Sequence, residues 1–211
     1  MSPSSLVTPR EIVVFDFDGT ITTKDTFALF LRYYAGTTKW ALNLLRLLPI
    51  FIAYILKIID RNAVKAHVIR RFFKNAPVDS LDARAEQFAE DVIPALIRPL
   101  AQAELDAKKS DPDSLYICSA SITPYLKAWG RSQDITNILA TELEQYDGLY
   151  TGEIEGWNVW GEGKTRRIFA EFAPNPVKIK EAYGDTRGDR EMLHAADVSY
   201  WQPFRLSAHH D

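Results

Sequence analysis

The chain has 211 residues, 46% of them hydrophobic, with one cysteine and a formal net charge of −3. That length can bury the core of one full domain plus a modest insertion. A single cysteine excludes an internal disulfide framework and fits a reducing cytoplasm. Met1 to Arg10 is short and polar, without the charged, apolar and small-residue order of a secretion signal, so a cytoplasmic location is expected.

Ile12-Val13-Val14-Phe15 reads as a buried strand, and Asp16-Phe17-Asp18-Gly19-Thr20 directly after it reads as a sharp turn. Strand alternation sends Asp16 and Asp18 to one side and Phe17 to the other. Two carboxylates held together repel each other unless a cation joins them, and a hard divalent ion such as Mg²⁺ suits oxygen ligands. One carboxylate can then attack phosphorus while the other moves protons. A strand followed by an Asp-Gly turn, with no chemistry attached, is the competing reading of these five residues taken alone.

Four helical stretches follow. Asp25 to Ala35 has apolar residues at helical spacing, with Gly36 placed to stop it. Trp40 to Ile59 is expected to kink or break near Pro49. Arg61 to Lys74 forms a third helix, and Asp82 to Ala107 must bend or divide at Pro94 and Pro99. From Arg32 to Lys74 nine Lys or Arg face a single acid, Asp60, so this segment carries +8 and the rest of the chain −11. Such segregation should attract anions, and Lys65 and Arg70 are the cations singled out for substrate contact. A helical pair with basic solvated faces is the alternative. Within Trp40 to Ile59 the longest uncharged run is the ten residues Leu47 to Leu56, whereas a membrane span needs about 20. Burial among the inserted helices or at an oligomer contact is therefore expected, the alternative being peripheral contact with an anionic membrane.

Strand-like runs at Leu115 to Cys118, Asn137 to Leu143, Val177 to Tyr183 and Val198 to Trp201 alternate with helical patterns. That rhythm predicts a mostly parallel sheet with helices on both faces, with ligands bound outside the carboxyl ends of the strands. Tyr150 to Gly156 reads as a small hairpin excursion. Ser119 offers a hydroxyl, and Ala120 a backbone amide, at a predicted strand-to-helix junction where phosphate is welcomed. Lys164 brings a compact positive charge for phosphoryl oxygens, and Asp185 a third carboxylate for the metal. Cys118 reads as a small buried residue. His67, His194, His209 and His210 show no metal-ligand grouping.

Taken in order, Asp16-x-Asp18-Gly19-Thr20, Ser119, Lys164 and Gly184-Asp185-(three residues)-Asp189 resemble the four motifs of the haloacid dehalogenase superfamily. The resemblance is to its subfamily IB, in the branch that contains phosphoserine phosphatases, and spans about Glu11 to Phe204. It implies an α/β fold with a Rossmann-like core over residues 1–26 and 105–211. An inserted helical cap over 27–104 would close over the site. It also implies Asp16 as nucleophile and Mg²⁺ ligand, Asp18 as acid and base with its backbone carbonyl on the metal, and Asp185 as the last protein ligand. Asp189 would orient a metal water or Lys164, or cap a helix. Thr20 would hold the loop or the phosphate, or bond its own turn. Asp25 either reads a substrate amine, as the corresponding acid does in phosphoserine phosphatases, or caps the first helix. Ser119-Ala120-Ser121 departs from the Ser-Gly-Gly of true phosphoserine phosphatases, which argues against phosphoserine as substrate.

The expected activity is Mg²⁺-dependent hydrolysis of a small or lipid-linked anionic phosphomonoester, such as a phosphatidylglycerophosphate-type lipid, with no nucleic-acid partner. A phosphotransferase would use the same residues. A non-catalytic binding module is disfavoured, because the nucleophile, acid-base residue, lysine and metal acids are all present.

Overall fold

Strand β1 (Arg10–Phe15) is covered on both sides: Val13 and Phe15 join one hydrophobic cluster, Ile12 and Val14 another. Its period of two therefore divides the protein into two layers around one sheet. The structure, a computed structural model, describes residues 8–205, so His209, His210 and Met1 to Val7 lie outside the described residues. Six more strands complete the sheet: β2 (Ala76–Pro77), β3 (Leu115–Ile122), β4 (Ile138–Tyr146), β5 (Leu149–Glu155), β6 (Val177–Gly184) and β7 (Ala196–Trp201). Their spatial order is β2-β5-β4-β3-β1-β6-β7. The five from β4 to β7 run parallel, while β5 and β2 add antiparallel pairs. The chain leaves β1 toward β3 on one side and returns to β6 on the other, so β1 is the switch point where an open sheet forms its crevice.

Between β1 and β3 the chain makes helices α1 (Thr26–Ala35), α2 (Thr37–Ile55), α3 (Arg61–Phe73), α4 (Val78–Asp91) and α5 (Pro99–Lys108). Asp25 caps α1 by accepting from the Ala28 amide at 2.9 Å, and Asp60 caps α3 through Ala63 at 2.8 Å. The long predicted helix from Asp82 does divide, with a short 3₁₀ turn over Ile93–Leu96 and Pro99 opening α5. The expected break at Pro49 does not occur, and α2 runs through it. Pro49 and Leu45 are both exposed, so water can serve the carbonyl that the proline leaves without an intrahelical donor. Nor is α2 interior, since Leu47 is its single buried residue.

Three helices follow in the second half: α6 (Thr123–Ser132), α7 (Glu162–Phe172) and α8 (Arg190–His194). Ile168 of α7 and Met192 and Leu193 of α8 cover the Ile12 face, whereas α6 packs with the inserted helices on the Phe15 face. Tyr150 to Gly156 is one arm of a hairpin rather than a hairpin of its own. It pairs with β4 around Asp147-Gly148, both at positive φ as a tight primed turn requires.

Aromatic packing ties the insertion to the core. Phe30 of α1 lies 5.2 Å from Phe88 of α4 and 5.1 Å from Tyr125 of α6, ring centre to ring centre. Backbone pairing adds to this, with β2 on β5 and Thr22 bridged to Ile97. The expected core boundary between residues 104 and 105 falls inside α5. Because Phe30 is fully buried where three helices meet, Phe30→Ala should lower unfolding stability by about 3–5 kcal/mol. Urea denaturation followed by circular dichroism checks this.

Candidate active site

Asp16 directly follows β1, its backbone amide bound to the Tyr183 carbonyl of β6 at 2.9 Å, which pins the carboxylate at the mouth of the crevice. Lys164, in the first turn of α7, donates to Asp16 Oδ1 at 2.5 Å, to Asp189 Oδ1 at 2.7 Å and to the Cys118 carbonyl at 2.8 Å. All three ammonium donors are thus satisfied on a side chain that is almost fully buried. Burial opposes the charge on Lys164, but Asp16 and Asp189 outweigh it and hold its pKa above the usual lysine value. Burial pushes Asp16 up to about 7, with Lys164 pulling down and the Asp189 charge adding to the rise. Thr20 donates to Asp16 Oδ2 at 2.8 Å. It is buried behind the loop and does not line the cavity, so its expected place on the phosphate is corrected: it holds the carboxylate.

Asp18 faces the same cavity as Asp16, as alternation predicts. Its carboxylate is nonetheless turned toward the insertion, where Oδ1 accepts from the Thr26 amide and hydroxyl, each at 2.6 Å, and Oδ2 accepts from the Ser121 hydroxyl. The Tyr125 hydroxyl lies 3.2 Å from Thr26 Oγ1 and closes the cluster. Burial first, then the Asp25 charge, raise the pKa of Asp18 against these bonds. Ser121 and Thr26 are contacts that the sequence reading missed. Ser121 was visible there as the departure from Ser-Gly-Gly, and the structure gives that departure a partner.

Asp189 serves two groups at once. Besides Lys164 it accepts through Oδ2 from the Asp185 amide at 3.0 Å and from the Thr186 amide at 2.7 Å. Asp185 is buried, and its Oδ2 takes the guanidinium of Arg205 at 2.6 Å, a contact with no sequence signal. Its Oδ1 is buried and, among the described residues, has no hydrogen-bond partner, and a cation is the partner such an oxygen lacks. Gly19, at φ +86°, makes room for this carboxylate, since a Cβ there would stand 2.7 Å from Asp185 Oδ2. Among the described residues no three acidic, histidine or cysteine side chains converge as a ready cage. Of the three carboxylates expected at a metal, that of Asp18 is engaged by Thr26 and Ser121, while Asp185 keeps an unpartnered oxygen. Two carboxylates suit Mg²⁺, which keeps water and substrate oxygens in its remaining positions.

Ser119 lies within β3, not at the strand-to-helix junction, because the strand continues to Ile122. The pairing of β3 with β4 is interrupted between Cys118 and Ile122, and this irregular stretch lines the cavity at Ser119, Ala120 and Ser121. Ser119 Oγ accepts from the Ser121 amide at 3.0 Å. The Ala120 carbonyl accepts from Lys65 of α3 and, at 2.9 Å, from Thr141. Lys65 also reaches Asn158 Oδ1 at 2.9 Å, a further residue the sequence reading missed. Burial lowers the pKa of Lys65 to about 7, although Asp18 and Asp25 oppose the shift. Arg70, expected beside it, is corrected: its guanidinium pairs with Glu153 of β5 at 2.5 Å, half exposed and away from the cavity. Asp25 both caps α1 and lines the cavity. Cys118 is buried, its thiol pushed up to about 12 by burial, which suits packing and not nucleophilic attack.

Together these groups line a cavity of about 520 Å³ whose far wall is apolar, formed by Phe27, Phe51, Tyr54, Val64 and Val68 of the insertion. Arg61 of α3 lies over the Trp160 ring at 5.3 Å, a second link across the cavity.

A family model described as haloacid dehalogenase-like hydrolase matches residues 13–194. Protein CicA of Caulobacter vibrioides, from two strains, is 37% identical over 197 residues, covering 92% of this chain and 86% of its own length. Among solved structures, a protein of unknown function from Bordetella pertussis Tohama I superposes with TM-score 0.73 at 22% identity, covering 89% of this chain and 87% of its own. A substrate-bound phosphoserine phosphatase gives TM-score 0.59 at 15% identity over 92% of this chain and 86% of its own. At these identities the structural matches establish a shared fold.

Lys164 separates two buried carboxylates, so Lys164→Met should leave Asp16 and Asp189 facing each other without a counter-charge. Unfolding stability should fall by about 3–5 kcal/mol, read by urea denaturation at neutral pH. Asp189→Asn in the same background should recover part of the loss.

Proposed function

The chain belongs to the haloacid dehalogenase-like hydrolases, and on that premise we propose that it is a Mg²⁺-dependent phosphomonoester hydrolase working through a phosphoryl group carried on Asp16. The observation that carries this reading is the placement of Asp16. It is a buried carboxylate at a strand end, gripped by Lys164 and Thr20, at the floor of a cavity it shares with Asp18. The fold shared with phosphoserine phosphatases lends further support.

When bound, Mg²⁺ would be held by Asp16 and Asp185, with the Asp18 carbonyl as the family resemblance implies, and would offset the negative charge of carboxylates and phosphoryl oxygens. The protein's own groups do the remaining work. A carboxylate oxygen of Asp16 forms a bond to phosphorus as the ester P–O bond breaks, and the leaving oxygen takes a proton from Asp18. The raised pKa of Asp18 suits it to hold that proton. In the second half, Asp18 takes a proton from water, whose oxygen attacks phosphorus, releasing inorganic phosphate and restoring the Asp16 carboxylate. Lys164 keeps its charge throughout and steadies Asp16 and the phosphoryl oxygens. Asp189 fixes Lys164 and the Asp185 backbone together. Lys65, reaching the floor from α3, is the cation for further negative charge on the substrate.

Asp16→Asn should lower hydrolysis of an activated aryl phosphate by at least about a thousandfold while leaving the circular dichroism spectrum unchanged. Exhaustive chelation should abolish activity, Mg²⁺ should restore it, and Ca²⁺, with its larger and looser coordination, should not. Near-normal turnover by Asp16→Asn or by the chelated enzyme would defeat the proposal.

Lys65 supplies a pH dependence with a definite sign. A lysine whose pKa is lowered to about 7 is charged below that pH and neutral above it, so attraction for an anionic substrate weakens as pH rises through neutrality. KM for a phosphomonoester bearing a second anionic group should therefore climb from about pH 6 to about pH 8. Lys65→Met should raise KM at the lower pH and flatten the profile, measured against a substrate without the second charge.

A further inference from the structure

The longest helix of the chain has almost no interior. Leu42, Leu45, Leu48, Ile52, Ile55 and Leu56 recur at spacings that place them on one face of α2 and its end, each between 47% and 74% exposed. Lys39, Arg46 and Lys57 are exposed beside that stripe, and Thr37–Ile55 contains no acid. Among the described residues none of these three cations makes an ion pair. The opposite face holds the helix to the protein: Leu47 is buried, and Trp40, Ile50 and Phe51 pack on the core. Phe51 and Tyr54 continue into the apolar wall of the catalytic cavity. One helix therefore presents an apolar stripe to solvent and, through its other side, lines the site where Asp16 lies.

We propose that α2 is a docking helix for an anionic lipid bilayer, and that the phosphomonoester taken at Asp16 is a lipid whose apolar part lies along Phe51 and Tyr54. The second half of this proposal rests on the hydrolase reading above. An amphipathic helix that lies in the interface buries its apolar face at the acyl boundary and leaves its cations among headgroup phosphates, which is the arrangement of α2. By length and composition its 19 residues are enough for a span. Crossing would nevertheless strip Leu47 and Phe51 from the core and carry Arg46 to mid-membrane, both costly. A second copy of the chain is a poorer occupant than lipid. A two-fold contact sets the same patch against itself, so the Lys39, Arg46 and Lys57 rows would meet with no acid on α2 between them.

Co-sedimentation of the full-length protein with vesicles tests this. The wild type should pellet with vesicles of equal parts phosphatidylcholine and phosphatidylglycerol and stay in solution with phosphatidylcholine alone. Leu45→Asp, Ile52→Asp and Ile55→Asp combined should lower the bound fraction at least about tenfold. Hydrolysis of a soluble aryl phosphate without vesicles should be unchanged, since none of the three lines the cavity. Should that variant fold poorly by circular dichroism, Lys39→Gln, Arg46→Gln and Lys57→Gln combined keep the stripe and should also release the protein. With a small share of phosphatidic acid added to the mixed vesicles, release of phosphate from it should fall together with binding. Equal binding to both vesicle types, binding indifferent to both variants, or a wild-type dimer that the aspartates dissociate would overturn the docking surface. A wild type inert on aryl phosphate overturns the lipid substrate along with the hydrolase reading, and vesicle binding judges the docking surface separately.

Discussion

A single ammonium group, Lys164 Nζ, holds together parts of the chain that are far apart in sequence. It joins Asp16 at the end of the first strand, the Cys118 carbonyl in the third and Asp189 beyond the sixth. Removing this charge from water is expensive, and a buried ion pair alone does not guarantee net stability. Here every donor has an acceptor, and the arrangement also fixes where the Asp16 carboxylate points. In the proposed role of Asp16, a carboxylate held by a fixed charge needs little reorganisation when negative charge develops on a phosphoryl group. Asp189 extends the constraint to Asp185 through its backbone, so the carboxylates on β1 and after β6 are set by one network.

The insertion completes the site by charge and by shape. Lys65 and Arg61 of α3 reach toward the sheet side, to the Ala120 carbonyl and the Trp160 ring, while Phe27, Phe51 and Tyr54 supply an apolar wall. An apolar wall beside charged groups lowers the local dielectric and strengthens the electrostatic contacts below it. Thr26, at the start of α1, touches Asp18 directly. The first inserted helix and the Asp18 carboxylate are thus joined through one hydrogen-bonded threonine.

Much of this was legible in the sequence where chemistry and local pattern coincide. The apolar run before Asp16, the acids that follow it, and the strand-like stretches before Ser119 and Asp185 mark both the sheet and the crevice above it. What was hidden depends on tertiary partners. Arg70 and Lys65 are both helix cations five residues apart, and nothing local tells that one meets Glu153 on a hairpin while the other meets the cavity floor. Thr20 sits in a turn either way; only the fold turns its hydroxyl onto Asp16. Pro49 carries a local breaking signal, overridden because its neighbourhood is exposed. Arg205 pairs with Asp185 from twenty residues away, in a stretch whose composition gives no hint of it.

Rapid quenching of the Mg²⁺-loaded enzyme with a radiolabelled phosphomonoester tests most directly the proposal that Asp16 carries phosphorus. Acid-quenched protein, digested and separated, should carry label on the peptide containing Asp16. The label should be stable in acid and lost under mild base or hydroxylamine, as an acyl phosphate is. Label on the peptide containing Ser119, or turnover under the same conditions with no labelled protein, would contradict it.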